Sequence, residues 1–257
     1  MEKLTAKDNP KIKETAHLSS NKRERKRSGL FVVEGLRLCL DACQSGVEIV
    51  NAFFTSQFIN KHEKEAFTIQ SLAANSYEIT EELAKRLSDT ETSQGVFLVC
   101  KQISATPVDE GKILILDGVS DPSNVGAIAR SAEAFGITNL ILTVGSADAF
   151  SPKALRASMG AFFRIPTVEN ADIIQTVERL KGKGYTVYGS VVAGFDKTVF
   201  ECDFSQKTAM VIGNEAFGIS DDARKVCDTL VTLPMKGRAE SLNASAAAAV
   251  LLWEMTR

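Results

Sequence analysis

The densest group of chemistry-bearing residues lies near the C-terminus, in Leu233 to Asn243, which reads Leu-Pro-Met-Lys-Gly-Arg-Ala-Glu-Ser-Leu-Asn. A turn on Pro234 and Gly237 delivers Arg238, Ser241 and Asn243 just as the Ala-rich run Ala244 to Trp253 begins. That run is almost wholly apolar, which predicts a buried helix with Ser241 and Asn243 at its N-terminus inside the protein. Buried polar side chains need partners. Ser241 therefore has two readings: the N-cap of the helix, or a group that meets a ligand. Two further polar or Gly-rich stretches, Asp117 to Gly126 and Gly213 to Gly218, each follow a predicted apolar strand. In an open parallel sheet, ligands bind beyond the carboxyl ends of the strands, so three such loops point to one site.

Several chemistries lose their usual support. There is no GxxxxGK[ST] phosphate loop and no GxGxxG after the first strand of either half. Cys39, Cys43, Cys100, Cys202 and Cys227 are scattered, form no CxxC pair, and read as reduced thiols. With only His17 and His62 besides, no metal is expected, and neither is a Ser/His or Cys/His nucleophile. Asp117 and Glu215 both end strands, but nothing in the sequence fixes their separation, so a carboxylate pair has weak support.

The elements that must position these loops divide in two. In the first part, predicted strands at Leu30 to Gly35, Val47 to Thr55, Tyr77 to Ile79 and Gly95 to Cys100 alternate with helices at Leu36 to Cys43 and after Thr80, a small α/β unit. Polar Lys101 to Gly111, with Pro107, reads as the linker. In the second part, apolar strands at Ile113 to Leu116, Asn139 to Val144, Tyr185 to Val192, Ala209 to Ile212 and Leu230 to Leu233 suit a parallel sheet buried on both faces. A helix from Asp121 to Phe135, with Pro122 in its first turn and Gly136 after its end, makes a βαβ unit. Short helices are expected at Pro152 to Met159 and Ile173 to Leu180.

The 257 residues carry a formal net charge of −2, yet residues 1 to 28 hold nine Lys or Arg against four acids. A basic arm on an acidic body suggests a polyanionic partner; a solvated, frayed terminus is the plain alternative. No apolar run reaches membrane-spanning length and the Lys-rich start lacks a signal peptide's apolar core, so a cytoplasmic location is expected.

The second half resembles the SpoU/TrmH branch of the SPOUT RNA methyltransferases. Asn124-Val125-Gly126-Ala127-Ile128-Ala129-Arg130 is similar to that family's first motif. Ile212-Gly213-Asn214-Glu215 with Gly218 is similar to the second, and Leu233-Pro234-Met235 with Ser241-Leu242-Asn243 to the third. The three occur in order from Ile113 to the C-terminus, with Ala244 and Ala246 where the family more often has Val. The first half resembles an L30e-like RNA-binding domain through Asn9-Pro10-Lys11-Ile12-Lys13 and Phe31-Val32-Val33-Glu34-Gly35.

The resemblance implies an α/β-knot domain at residues 108–257, a mostly parallel sheet tied in a deep trefoil knot, preceded by an L30e-like α/β domain at residues 1–104 with a basic N-terminal arm. It implies S-adenosylmethionine-dependent methylation of a ribose 2′-hydroxyl, which rules out DNA as substrate, by a homodimer with active sites at its interface. Ribosomal RNA is preferred over transfer RNA because of the separate first domain. Asn124, Arg130, Glu215, Ser241 and Asn243 would be the catalytic group, and Gly213, Ile219, Leu233, Met235 and Leu242 would meet the cofactor through their main chain. Lys11, Lys22, Arg23, Arg25, Lys26 and Arg27 would hold RNA. Arg130 is the family's proposed proton acceptor, but a guanidinium normally stays protonated; holding a phosphate or lowering the hydroxyl's pKa serves equally. Arg156 and Ser158 also match a family-like stretch. The alternatives are a non-catalytic RNA-binding or ribosome-assembly protein that retains the fold, and methylation of a base, which the Ser-Leu-Asn disfavours.

Overall fold

The computed structural model describes residues 1–103 and 110–257. Pro107 and most of the expected linker, and both expected domain limits at 104 and 108, lie outside the described residues. The chain divides into two compact units: Met1–Ile103 together with Phe150–Phe163, and Ser104–Ala149 together with Arg164–Arg257.

The first unit holds β1 (Glu2–Leu4), α1 (Pro10–Ser20), α2 (Lys22–Ser28), β2 (Leu30–Glu34), α3 (Leu36–Gln44), β3 (Ile49–Thr55), α4 (Ser56–Lys61), α5 (Glu63–Leu72), β4 (Ala73–Ile79), α6 (Glu81–Leu87) and β5 (Val96–Lys101). Its sheet runs β1-β4-β3-β5-β2, with β5 antiparallel to both neighbours. The basic start is not an arm. β1 pairs in parallel with β4, and Ile12 and Leu18 of α1 are fully buried in the core with Phe53, Leu83 and Phe97. Local chemistry explains the helices. Asn9 caps α1 by accepting from the Lys11 N–H at 2.9 Å, with Pro10 in the first turn, and Asn21 ends α1 while capping α2. The charged faces of both helices hide a short inward stripe.

The second unit holds β6 (Ile113–Asp117), α7 (Pro122–Ala134) and β7 (Asn139–Thr143). After α8 (Pro152–Ser158), which belongs to the first unit, it continues with β8 (Thr167–Ala171), α9 (Ile173–Gly182), β9 (Thr186–Ser190), β10 (Lys197–Thr198), β11 (Thr208–Gly213), α10 (Asp221–Val226), β12 (Thr229–Thr232) and α11 (Ala244–Thr256). Its seven strands are all parallel, in the order β10-β12-β9-β11-β6-β7-β8. β6, β7 and β11 are buried along their whole length, their apolar centres flanked by the buried polar ends Asp117, Asn139, Thr143 and Thr208. The fold is of the α/β class that the apolar strands and the resemblance imply.

α11 corrects one expectation. Ala248, Leu251, Leu252 and Met255 are buried, but Val250 and Trp253 are exposed, Trp253 meeting Phe135 edge-on at 5.8 Å. Ser241 and Asn243 are exposed as well, outside the protein interior. An apolar residue on every side of a helix does not bury every side in one chain. All five cysteines are free. Burial raises the thiol pKa of Cys39 and Cys100, and pushes that of Cys227 up to about 12. Such thiols are poor nucleophiles. Among the described residues no helix is long and apolar enough to cross a membrane, and no cluster of His, Cys, Asp or Glu could hold a metal ion.

Candidate active site

The register of the parallel sheet sets the site. Gly213, the last residue of β11, stands beside Asp117, the last residue of β6, so the loops after both strands start at one level. Asp117 is buried and ties them together: Oδ1 accepts from the Thr143 hydroxyl at 3.1 Å and Oδ2 from the Ser220 N–H at 2.7 Å. The Asn214 side-chain amide donates to the Gly118 carbonyl at 2.8 Å, and its oxygen accepts from the N–H groups of Ala216 and Phe217. Asn214 and Gly218 exchange two main-chain hydrogen bonds of 2.9 Å across the turn. Gly213 is demanded by space rather than by its own dihedrals. A Cβ there would lie 2.0 Å from the Gly218 carbonyl carbon and 2.1 Å from the Ile219 nitrogen, closer than any real contact.

Glu215 joins this turn to the first motif. Its carboxylate accepts from the Asn124 side-chain amide at 2.8 Å, from the Asp121 N–H at 3.3 Å, and from the N–H and hydroxyl of Ser120 at 3.3 Å each. Burial alone would raise the Glu215 pKa, but the Asn124 amide, its own main chain and the N–H groups of Ser120 and Asp121 outweigh it and hold the carboxyl below the ordinary value. Asn124 is buried at the start of α7, whose N-cap is Asp121, accepting from the Ser123 N–H at 2.8 Å.

A cleft of about 690 Å³ opens at the carboxyl ends of β9, β11 and β12. Its walls include Gly213, Glu215, Leu233, Met235, Ser241 and Leu242, so the second and third motifs meet there. Asn124 reaches the cleft only through Glu215. Ile219 is buried in the core of the sheet and does not line it. Asn243 is the N-cap of α11, its side-chain oxygen accepting from the N–H of Ser245 at 2.9 Å and its hydroxyl at 2.7 Å. The cap is therefore Asn243 and not Ser241. Arg130 is exposed on α7 and does not line the cleft, and its side chain has no ion pair or hydrogen bond with any described residue. Arg238 is also exposed and away from the cleft lining.

The last residue of β9 and the loop after it supply a wall that the sequence did not reveal: Ser190, Val191, Val192 and Phe195. The sequence's one signal for it is Gly194, a turn residue just past the expected strand Tyr185 to Val192. Arg224 on α10 and Phe217 are likewise new lining residues.

In the first unit the six basic residues separate. Arg25 is buried, its guanidinium donating to the carbonyls of Leu18 at 2.5 Å and Ser19 at 3.0 Å. It braces the end of α1 and is not offered to RNA. Lys11 lies 4.9 Å from the centre of the Tyr77 ring, and Arg27 pairs with Glu24 at 2.6 Å. Lys22, Arg23, Lys26 and Arg27 are exposed. Arg156 pairs with Asp89 at 2.7 Å, and Ser158 is buried against the Leu155 carbonyl at 2.9 Å.

Comparison with known proteins agrees with this geometry. Residues 9–98 match the MRM3-like substrate binding domain and residues 111–253 match the SpoU rRNA methylase family. The chain is 30% identical over 256 residues to the 23S rRNA (guanosine(2553)-2′-O)-methyltransferase RlmP of Bacillus subtilis, covering 99% of each. It is 29% identical over 263 residues to the 23S rRNA (uridine(2479)-2′-O)-methyltransferase of Streptomyces viridochromogenes, covering 97% of this chain and 90% of that one. Among solved structures, the SpoU methyltransferase AviRb of S. viridochromogenes in complex with AdoMet superposes with a TM-score of 0.86 at 30% identity, over 96% of this chain and 97% of that one. The AdoMet-bound rRNA methyltransferase of Sinorhizobium meliloti gives 0.85 at 26% identity, over 99% and 97%. With a family match over more than half its length and a relative of this identity along almost all of it, the chain belongs to the SpoU rRNA methylase family.

Proposed function

We propose that this protein transfers a methyl group from S-adenosylmethionine to a ribose 2′-hydroxyl of 23S ribosomal RNA, as a cytoplasmic homodimer. The observation that carries this reading is the meeting of the second and third motifs, Gly213 to Gly218 and Leu233 to Leu242, in one cleft whose Glu215 is clamped to Asn124 of the first. The residues present fit the cofactor. Gly213 lets the Gly218–Ile219 peptide close against the end of β11 to shape the cleft wall, Leu233, Met235 and Leu242 give apolar surface, and among the described residues no hydrogen bond uses the main chain from Leu233 to Leu242. When bound, S-adenosylmethionine supplies an activated methyl on a sulfonium, so the chain's task is to position the acceptor and help remove its proton.

In this reading Ser241 orients the cofactor's methionine end or the ribose, and Glu215 with Asn124 fixes the loop against which the ribose is placed. Arg130 lies away from its own cleft and serves the cleft of a second copy, which is why the dimer is required. Its positive charge stabilises the developing alkoxide or holds the neighbouring phosphate. The domain carrying Lys11, Lys22, Arg23, Lys26 and Arg27 grips RNA by phosphate and shape contacts, and the domain from about residue 108 methylates it. The test is to map 2′-O-methylation across ribosomal RNA from cells with and without the gene. Loss of one mark is expected, and an unchanged map overturns the reading. Arg130→Ala in the purified protein is expected to lower transfer by about 100-fold or more with S-adenosylmethionine binding retained.

A further inference from the structure

We propose that Phe217 is the platform on which the base of the target nucleotide stacks while its ribose is methylated; this rests on the function proposed above. Phe217 is 88% exposed, the most exposed large hydrophobic residue among the described residues. A phenylalanine left in water forgoes the stabilisation of burial, so its display needs a reason. The display is also fixed. The Phe217 N–H donates to the Asn214 side chain, Asn214 and Gly218 close the turn with two main-chain bonds, and Gly218 takes the left-handed backbone (φ 72°) that the turn requires. A loop held at this many points presents the ring by construction.

The ring stands two residues after Glu215 and lines the same cleft as Glu215, Ser241 and Leu242. A nucleotide drawn out of its RNA helix so that its ribose can enter the cleft beside Glu215 and Ser241 loses the stacking of its base, which then needs a new face to stack on. Every base has a π-face, so one aromatic ring serves any target base. The aromatic Phe195, 48% exposed, is a second ring on the same cleft.

The experiment measures methyl incorporation from labelled S-adenosylmethionine into 23S rRNA purified from cells lacking the gene, with full-length protein. Phe217→Ala is expected to lower kcat/KM for RNA by about tenfold to a hundredfold, the worth of one base–aromatic stack. S-adenosylmethionine affinity, melting temperature and subunit mass are expected to stay unchanged. Phe217→Tyr and Phe217→Trp are expected to restore transfer, and Phe217→Leu, apolar but without a π-face, is not. A short RNA spanning the mapped nucleotide, with a base-less ribose at that position, is expected to cost the parent protein the same factor and Phe217→Ala nothing more. Full activity in Phe217→Leu overturns the assignment. So does a fall in cofactor affinity, which would place the ring over the cofactor, or a change in subunit mass, which would place it against a second copy. Absence of transfer by the parent protein overturns the proposed function itself; transfer by the parent with an equal Phe217→Ala overturns the stacking alone.

Discussion

Between Gly213 and Ser220 the polar groups are tied down, to Asp117, Gly118, Ser120, Asp121 and Asn124, and the space a side chain would need at Gly213 is filled by the Gly218–Ile219 peptide. From Leu233 to Leu242 the opposite holds. Among the described residues no hydrogen bond anchors this stretch, all of it beyond Leu233 is exposed, and Gly237 has open space around it. Both stretches wall the same cleft. One wall is built in advance, and the other keeps its main-chain groups for whatever enters. Pre-organisation lowers the cost of binding, and an unsatisfied wall gains hydrogen bonds on binding.

The contrast breaks or holds most visibly at two glycines. Gly213→Ala places a methyl group about 2 Å from the Gly218–Ile219 peptide. We expect it to cost about 3 kcal/mol or more of stability and to abolish S-adenosylmethionine binding in calorimetry. Gly237→Ala meets nothing and should change the melting free energy by no more than about 0.5 kcal/mol. If the two variants behave alike, the walls do not differ as described.

Hydrogen exchange sharpens the same contrast in the wild-type chain. At about 100 times Kd, S-adenosylmethionine should slow exchange across Leu233 to Leu242 by up to about 100-fold. Exchange from Gly213 to Ser220, already protected, should change far less. Equal protection of both would mean that the third-motif wall is as pre-formed as the second.

Asn243 lies at the boundary between a free wall and a fixed helix, and its substitutions separate two roles. Asn243→Ala removes the cap of α11 and should cost about 1 kcal/mol. Asn243→Ser keeps a capping oxygen, so its melting temperature should match the parent. If it also loses about tenfold or more in methyl transfer, the side chain acts on the reaction beyond its capping bond to Ser245. If transfer is unchanged, capping is its whole contribution.

What could be read from the sequence follows from where polar residues interrupt apolar runs. Asn214-Glu215 and Pro234 follow strands whose every residue is apolar or small, so the loops at the ends of β11 and β12 announced themselves. The wall after β9 did not. Ser190-Val191-Val192-Ala193 continues the apolar texture of the strand and hides where pairing stops. Charges concealed the first unit's start in the same way. In α1 and α2 only Ile12, Thr15, Leu18 and Arg25 turn inward among Lys, Arg and Glu, and an arginine facing carbonyls looks in sequence like one facing phosphate. α4 and α5 bury just Phe58, Ala66 and Ile69, too few to set a helical period. The exposure of Ser241, Val250 and Trp253 was illegible for another reason: an apolar sequence states that a surface wants cover, and not which chain supplies it.

The smallest expected effect tests whether Glu215 helps to lock the pre-formed wall. Its folded pKa is depressed below the ordinary glutamate value of about 4.3, chiefly because the Asn124 amide and nearby N–H groups overcome the effect of burial. The folded loop therefore binds fewer protons than the unfolded chain just below that value. The stabilisation is complete above the unfolded pKa and disappears as pH falls through the lower, folded one. Glu215 is exposed, so solvent screening reduces its worth to well under about 1 kcal/mol. Thermal melts of the parent and of Glu215→Gln should coincide in slope above about pH 5 and diverge below about pH 4.3, where only the parent loses this contribution. The neutral amide keeps an oxygen for Asn124 and introduces an N–H that faces the donors of Ser120 and Asp121. A constant offset at neutral pH would report that mismatch, and the pH-dependent part alone would report the charge. Identical acid limbs in the two proteins would show that the carboxylate's hydrogen bonds contribute nothing to the lock, leaving Gly213 and Asn214 as what holds the wall.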